Sequence, residues 1–226
     1  MKKYFSRLIQ GFYNEVFFLP NINCSYISVP KTANTSIKFA LLEAEQGTSI
    51  FNKTILDQYT IHNFFRQKFM INKREKKYFN SSTIFIFSLR EPAARFSSFY
   101  RDKIIGDGWP QEAYNRMAYL YGFHKKLDVL SCIKIISKIP DFMSEIHFRS
   151  QYSIIKKHLN RNSYFIRFEH INEHWKILQN KISLPDLKFY NVNPDRTKFN
   201  LDSNVLNLIK KRYYIDYNFL DNIGND

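Results

Sequence analysis

Residues 25–45 read SYISVPKTANTSIKFALLEAE, and this stretch decides the fold class. Ser25 to Val29 is short, β-branched and aromatic, which suits a buried strand. Ser36 to Glu45 carries helical spacing. Residues 83–103, TIFIFSLREPAARFSSFYRDK, repeat the arrangement: Thr83 to Leu89 is a near-continuous apolar run, and Pro92 opens a helical pattern that runs to Ile105. A third strand, Tyr164 to Phe168, precedes a helix from Asn172 to Asn180. Strand, helix, strand, helix at these separations predicts an α/β fold, a parallel sheet with helices on both faces.

The remaining chain reads as helical or as loop. Ile61 to Phe79, Lys126 to Ile139 and Leu201 to Ile215 carry helical periodicity, the last ending in an aromatic cluster at Tyr213, Tyr214, Tyr217 and Phe219. Val129, Cys132, Ile133 and Ile136 form one apolar stripe, expected to be core. With no repeat, low-complexity tract or Gly/Ser/Pro-rich linker, residues 1–226 are expected to form a single domain, with residues 1–24 as an N-terminal extension.

Composition bounds the function. The 226 residues are 44% apolar and 17% aromatic, enough to bury about 70 to 75% of the unfolded surface, so global disorder is excluded. Two cysteines, Cys24 and Cys132, exclude a disulfide scaffold or a four-cysteine zinc site and are expected to pack. The apolar stretch Val16 to Pro20 is too short to span a bilayer, and no signal-peptide core precedes it. A soluble, cytoplasmic protein is therefore expected, with peripheral membrane contact through Phe12 to Leu19 left open. A net charge of +14 favours anionic ligands or surfaces without choosing among them. A specific nucleic-acid role is not expected, because the aromatics are spread as a core requires.

The segment Ser28 to Lys38 has the makings of an anion site. Ligands of open α/β sheets bind where strands hand over to helices. Here the backbone N–H groups of the turn around Thr32 and Asn34, the helix start, the Thr35 and Ser36 hydroxyls and the Lys31 ammonium converge without a metal. The lysine is early and no glycine is present, so this is not a Walker A loop. Asn34 is the residue expected to take a left-handed backbone. An ordinary helix start capped by Thr35 or Ser36 is the plain alternative. In the second unit Arg90 ends the strand, and Arg95 and Ser98 share a helix face, offering an arginine fork and a hydroxyl for a second phosphate.

PKTANTSIK and LREPAARFSSFYRDK resemble the two nucleotide signatures of the carbohydrate-type, family 2 sulfotransferases. The resemblance implies a P-loop-like α/β architecture and the donor 3'-phosphoadenosine 5'-phosphosulfate (PAPS), with adenosine 3',5'-bisphosphate (PAP) as product. Carried over by position, it makes Lys31, Thr35 and Ser36 the 5' contacts, and Arg90 and Ser98 the 3' contacts. Weaker likeness continues through His147 to Gln151, Arg167 to Glu169 and Tyr214 to Phe219, so the family-like region runs over residues 25–219. The implied activity is sulfuryl transfer to a hydroxyl, with a saccharide as the expected acceptor.

Sulfuryl transfer needs alignment and charge stabilisation, for which Lys31 is the expected cation at the leaving phosphate. A general base must take the acceptor proton. His62 is the candidate, because related enzymes place a catalytic His or Glu between the two motifs; a hydrogen-bonded structural histidine is the alternative. His147 is a candidate substrate-orienting residue. Arg196, in the loop Asn191 to Lys198, is a candidate to fold over the nucleotide. His170 to His174 fits the H-x-x-E-H zinc pattern, but the helix is expected to start after His170, so no metal is expected. Two other readings remain open: an inactive, basic binding protein on this scaffold, and a divergent P-loop nucleotide kinase.

Overall fold

The three apolar runs form the expected parallel core of a sheet in the computed structural model, which describes residues 14–47, 60–71, 79–125, 127–159, 162–190 and 201–223. Strand β2 (Cys24–Ser28) pairs in parallel with β3 (Ile84–Leu89), and β3 with β4 (Ser163–Arg167). The sequence reading lacked β1 (Glu15–Leu19), which pairs antiparallel with β2, Leu19 opposite Cys24. The segment considered for membrane contact is thus in part this strand, with Phe17 and Leu19 wholly buried. The tight turn between β1 and β2 uses Asn23 at φ 46°, a left-handed conformation that asparagine tolerates.

Each sheet-ward helix has a local reason to form. Helix α1 (Asn34–Gln46) is rich in Ala, Leu and Glu and stops at Gly47, where φ is 76° and the N–H returns to the Glu43 carbonyl. Helix α2 (Thr60–Lys68) is shorter than the periodicity predicted. Its chain leaves the helix to pair with the outer edge of β1: the Phe18 N–H donates to the Phe69 carbonyl at 2.9 Å and the Ile71 N–H to the Val16 carbonyl at 3.0 Å. That pairing covers an otherwise open sheet edge.

Two packing units share the chain, and neither is a continuous stretch of sequence. The sheet unit comprises Asn14–Arg90 and Ile155–Arg196. One sheet face, with Phe17, Tyr26, Ile86 and Ile166, packs against Ile37 and Leu41 of α1 and Ile61 and Phe65 of α2. Trp175 of a later helix (Ile171–Gln179) joins the same core. On the opposite face Ile27, Phe87 and Leu89 are fully buried as well, as expected for parallel strands.

The helical unit comprises Glu91–Ile154 and Thr197–Asp226. It contains α3 (Pro92–Phe99), α4 (Gln111–Tyr121), α5 (Val129–Ser137), α6 (Gln151–Ile155, which ends at the unit boundary), and, after the Ile171–Gln179 helix α7, α8 (Ser203–Arg212) and α9 (Tyr214–Asn222). The continuous helix predicted from Pro92 to Ile105 changes at Tyr100 into a π-helical turn, Tyr100–Ile105. The Gly106 N–H reaches back to the Arg101 carbonyl and the Gly108 N–H to Asp102, each at 2.9 Å. A Cβ at Gly108 would lie 2.5 Å from the Asp102 backbone carbonyl oxygen, so only glycine admits this closure. The stripe of α5 is core as expected: Cys132, Ile133 and Ile136 pack with Val205, Ile209 and Tyr213. The predicted tail helix is two helices, broken at Tyr213, whose hydroxyl donates to the Phe148 carbonyl at 2.7 Å. Among the described residues no helix is long and apolar enough to cross a membrane.

Candidate active site at the carboxyl end of the sheet

The turn from β2 into α1 is strained where the anion site was expected. Lys31 and Ala33 have φ of 73° and 63°, and neither is glycine. A left-handed L-residue costs about 1–2 kcal/mol, so two in three positions require a surrounding structure that holds them. This alternation is the backbone pattern that turns successive N–H groups to one side and makes an anion nest. Asn34, expected to be left-handed, is instead the first residue of α1, and Ala33 is its cap. Neither Thr35 nor Ser36 caps the helix. The cap residue Ala33 supplies no side-chain acceptor to the first amides of α1, and the positive end of a helix dipole favours an anion.

Five side chains hold the turn. The Thr32 hydroxyl donates to the Val29 carbonyl at 2.7 Å and lies 2.6 Å from Ser88 Oγ. Ser88 also meets the Tyr26 hydroxyl at 3.1 Å, and Tyr26 donates to Asn34 Oδ1 at 2.9 Å. Asn34 Nδ2 closes the chain on Ser28 Oγ at 2.8 Å. Burial pushes the Tyr26 phenol well up, so it stays a neutral donor. The side chains of Thr32 and Asn34 thus build the cradle from beneath, leaving their backbone amides, the groups expected to meet an anion, as what they offer it.

Arg90 comes to this turn from the end of β3. Its Nη1 donates to the Lys31 carbonyl at 3.2 Å, and its guanidinium lies over the Phe168 ring at 4.1 Å. The two motifs therefore meet at the carboxyl end of adjacent parallel strands, with a lysine and an arginine beside one nest. Ser36 is buried, and its Oγ accepts from the Tyr190 N–H at 3.0 Å. Arg196 lies outside the described residues, as do Asn191 to Lys198 generally.

His62, on the first turn of α2, stands beside the cradle. Its Nε2 is 3.2 Å from Thr35 Oγ1 and its Nδ1 is 3.1 Å from Lys38 Nζ. Lys38 lies one turn beyond Thr35, with a side chain 0% exposed, 3.4 Å from Glu15 Oε2 and over the Phe17 ring at 4.4 Å. Burial pulls the Lys38 ammonium down to about 8, against the Glu15 carboxylate. Burial opposes ionisation of Glu15, but Lys38 and Arg66 outweigh it and hold the carboxyl below its usual range. The sequence reading missed Lys38. Its signal was a lone cation inside the apolar run Ile37 to Leu42.

The second motif is used differently in the helical unit. Glu91 caps α3, accepting from the Ala93 and Ala94 amides, and Tyr217 donates to its Oε1 at 2.5 Å. Arg95, read as part of a phosphate fork, is instead fully engaged in structure: it donates to the Arg149 carbonyl at 2.8 Å and the Ile146 carbonyl at 3.0 Å. Its burial leaves no fork to present. Ser98 is half-buried in the second turn of α3.

His147 pairs with Glu145, Nδ1 to Oε1 at 2.8 Å. Burial opposes ionisation of Glu145, and the His147 imidazole and N–H overcome it. The late element Tyr214 to Phe219 holds the His147 region together, since Asp216 accepts from Ser150 Oγ at 2.6 Å and the Gln151 N–H at 2.9 Å. His170 lies in the short turn before α7 while His174 lies within it, and His174 Nδ1 accepts from the Arg167 N–H at 2.9 Å. The zinc pattern therefore lacks its continuous helix. Cys24 and Cys132 are buried, their thiols pushed upward, Cys132 to about 12.

A mostly parallel α/β sheet with an anion nest, two cations and a histidine at its carboxyl end defines an anion-recognising group-transfer class. The model of the Sulfotransferase family matches residues 14–221, nearly the whole chain, and the protein belongs to that family. No curated protein and no solved structure matches it.

Proposed function

We propose that the protein transfers a sulfuryl group from PAPS to a hydroxyl of an acceptor, a saccharide in the first instance. The observation that carries this reading is the turn into α1, with Lys31 and Ala33 both left-handed and Arg90 bonded to it from the end of β3. When bound, the donor supplies an activated sulfuryl group on a phosphate leaving group. In this reading the amides of Thr32 to Thr35 and the Lys31 ammonium hold the 5' end and stabilise charge arriving on that phosphate. Arg90 takes the 3'-phosphate. His62 receives the proton of the acceptor hydroxyl, its ring oriented by Thr35 and Lys38.

The test is a thermal-shift titration with PAP on wild type and Arg90→Ala, with AMP and ATP as controls. A ligand at about a hundred times its Kd stabilises by about 2.7 kcal/mol, or about 5–11 °C for a domain of this size. The expected result is that shift in wild type, much reduced in Arg90→Ala. No shift with PAP in wild type refutes the donor.

A further inference from the structure

The contacts of His62 on both ring nitrogens raise a question that the donor reading leaves open. Nε2 faces Thr35 and Nδ1 faces Lys38, so whichever nitrogen carries the proton decides what the other can do. A neutral imidazole has one donor and one acceptor nitrogen. An ammonium can only donate. With Lys38 charged, Nδ1 must accept, the ring proton sits on Nε2, and the side facing the anion cradle is a donor. With Lys38 as a neutral amine, its lone pair is able to accept from Nδ1–H, and Nε2 then keeps the lone pair that a base requires.

The geometry points to Lys38 as a positioning residue that selects the tautomer of His62, making His62 a base toward the cradle only when Lys38 is the neutral amine. For its catalytic consequence this rests on the proposed role of His62 in sulfuryl transfer; the tautomer itself does not depend on it. The surroundings suit such a selector. The Lys38 side chain is 0% exposed and sits over two aromatic rings, Phe17 at 4.4 Å and Phe65 at 5.5 Å. The charged and titratable groups facing it or its ion pair are Glu15 from β1, His62 and Arg66 from α2, and the Tyr26 phenol from β2. Glu15 favours the ammonium, Arg66 and burial the amine, and the balance falls at about 8. An ordinary exposed lysine would remain charged across the whole working range, with a pKa of about 10.4.

The experiment is a two-bond proton–nitrogen correlation spectrum of the full chain labelled with nitrogen-15 histidine, recorded from pH 7 to 9.5. His62→Gln identifies the His62 signals by their loss. In wild type the expected result is a pyrrole-like Nε2 and a pyridine-like Nδ1 below pH 8, exchanging identities as the pH rises through about 8. Lys38→Arg, which keeps the charge at all these pH values, should hold the proton on Nε2 throughout. Lys38→Met should remove the transition. A wild-type ring whose tautomer does not change, or a transition that survives in either variant, overturns the proposal. Should a variant fail to fold, the wild-type titration alone still decides it. PAP shifts on the same samples separate the two readings: binding without the tautomer change sinks the role of Lys38, and the tautomer change without binding sinks the donor.

Discussion

At the start of α1 the cap is Ala33, which supplies no side-chain acceptor to the first amides, whereas at the start of α3 the Glu91 carboxylate accepts from Ala93 at 3.0 Å and from Ala94 at 2.6 Å. The two junctions are alike in sequence, each a strand, a short polar turn containing proline, and a helix. Their backbones differ: the first holds two left-handed non-glycine residues, while the second has none. The first is a strained, open helix end and the second a relaxed, closed one. The difference teaches that a strand-to-helix junction binds an anion through its amides only if the chain does not supply its own. At α3 the carboxylate of the motif is already that anion, so the phosphate recognition proposed there falls to side chains.

The largest expected effect separates the two ends by activity. Lys31→Ala should lower kcat/KM by about a hundred- to a thousandfold, as removal of a group stabilising transition-state charge does, with little change in melting temperature. A donor-dependent transfer assay beside a thermal melt measures both; a large melting loss would mean that Lys31 holds the fold instead. Arg95→Ala should do the opposite. Two buried carbonyls lose their donors, at a cost of about 2–4 kcal/mol by urea unfolding. PAP affinity of the folded fraction should be unchanged, and a specific loss of affinity would return Arg95 to the phosphate site.

Glu91→Ala should cost about 1–2 kcal/mol through the lost cap. It should also open the second helix end, so sulfate should stabilise this variant more than wild type, and equal sulfate responses would blur the contrast drawn between the junctions. The smallest effect is expected at Ala33→Gly. Relief of the left-handed strain against the entropy of glycine leaves a gain of about 0.5–1 kcal/mol. A destabilised variant would show that Ala33 is not strained.

The parallel strands were legible because burial on both faces leaves runs such as Ile84 to Leu89 with no polar alternation to confuse. Strand β1 was missed because an isolated EVFFL pattern carries no partner information; its signal was the Pro20 to Asn23 turn joining it to the next β-branched run. Residue type singled out Lys31, Arg90 and His62, and the fold gathers them around the turn into α1. The site was not legible where several polar residues compete for the same bonds. Thr32, Asn34 and Arg95 have the right types for ligand contacts, and only the folded distances show that Ser88, Tyr26 and two carbonyls reach them first. Lys38 escaped notice for a related reason, since a single lysine in an apolar run more often marks a helix surface than a buried partner of histidine.

The knot around Asp216 bears on the order in which the chain is made. Residues 91–154 leave the ribosome well before Val205 and Ile209 of α8 and Tyr213 at the α8–α9 break, which complete their core, and before the carboxylate that accepts from Ser150. During that interval the apolar face of α5 lacks Val205, Ile209 and Tyr213, and apolar surface exposed in this way is where nascent chains aggregate. The interval between synthesis of α5 and of α8 is thus a period of vulnerability, and slower elongation across it lengthens the exposure.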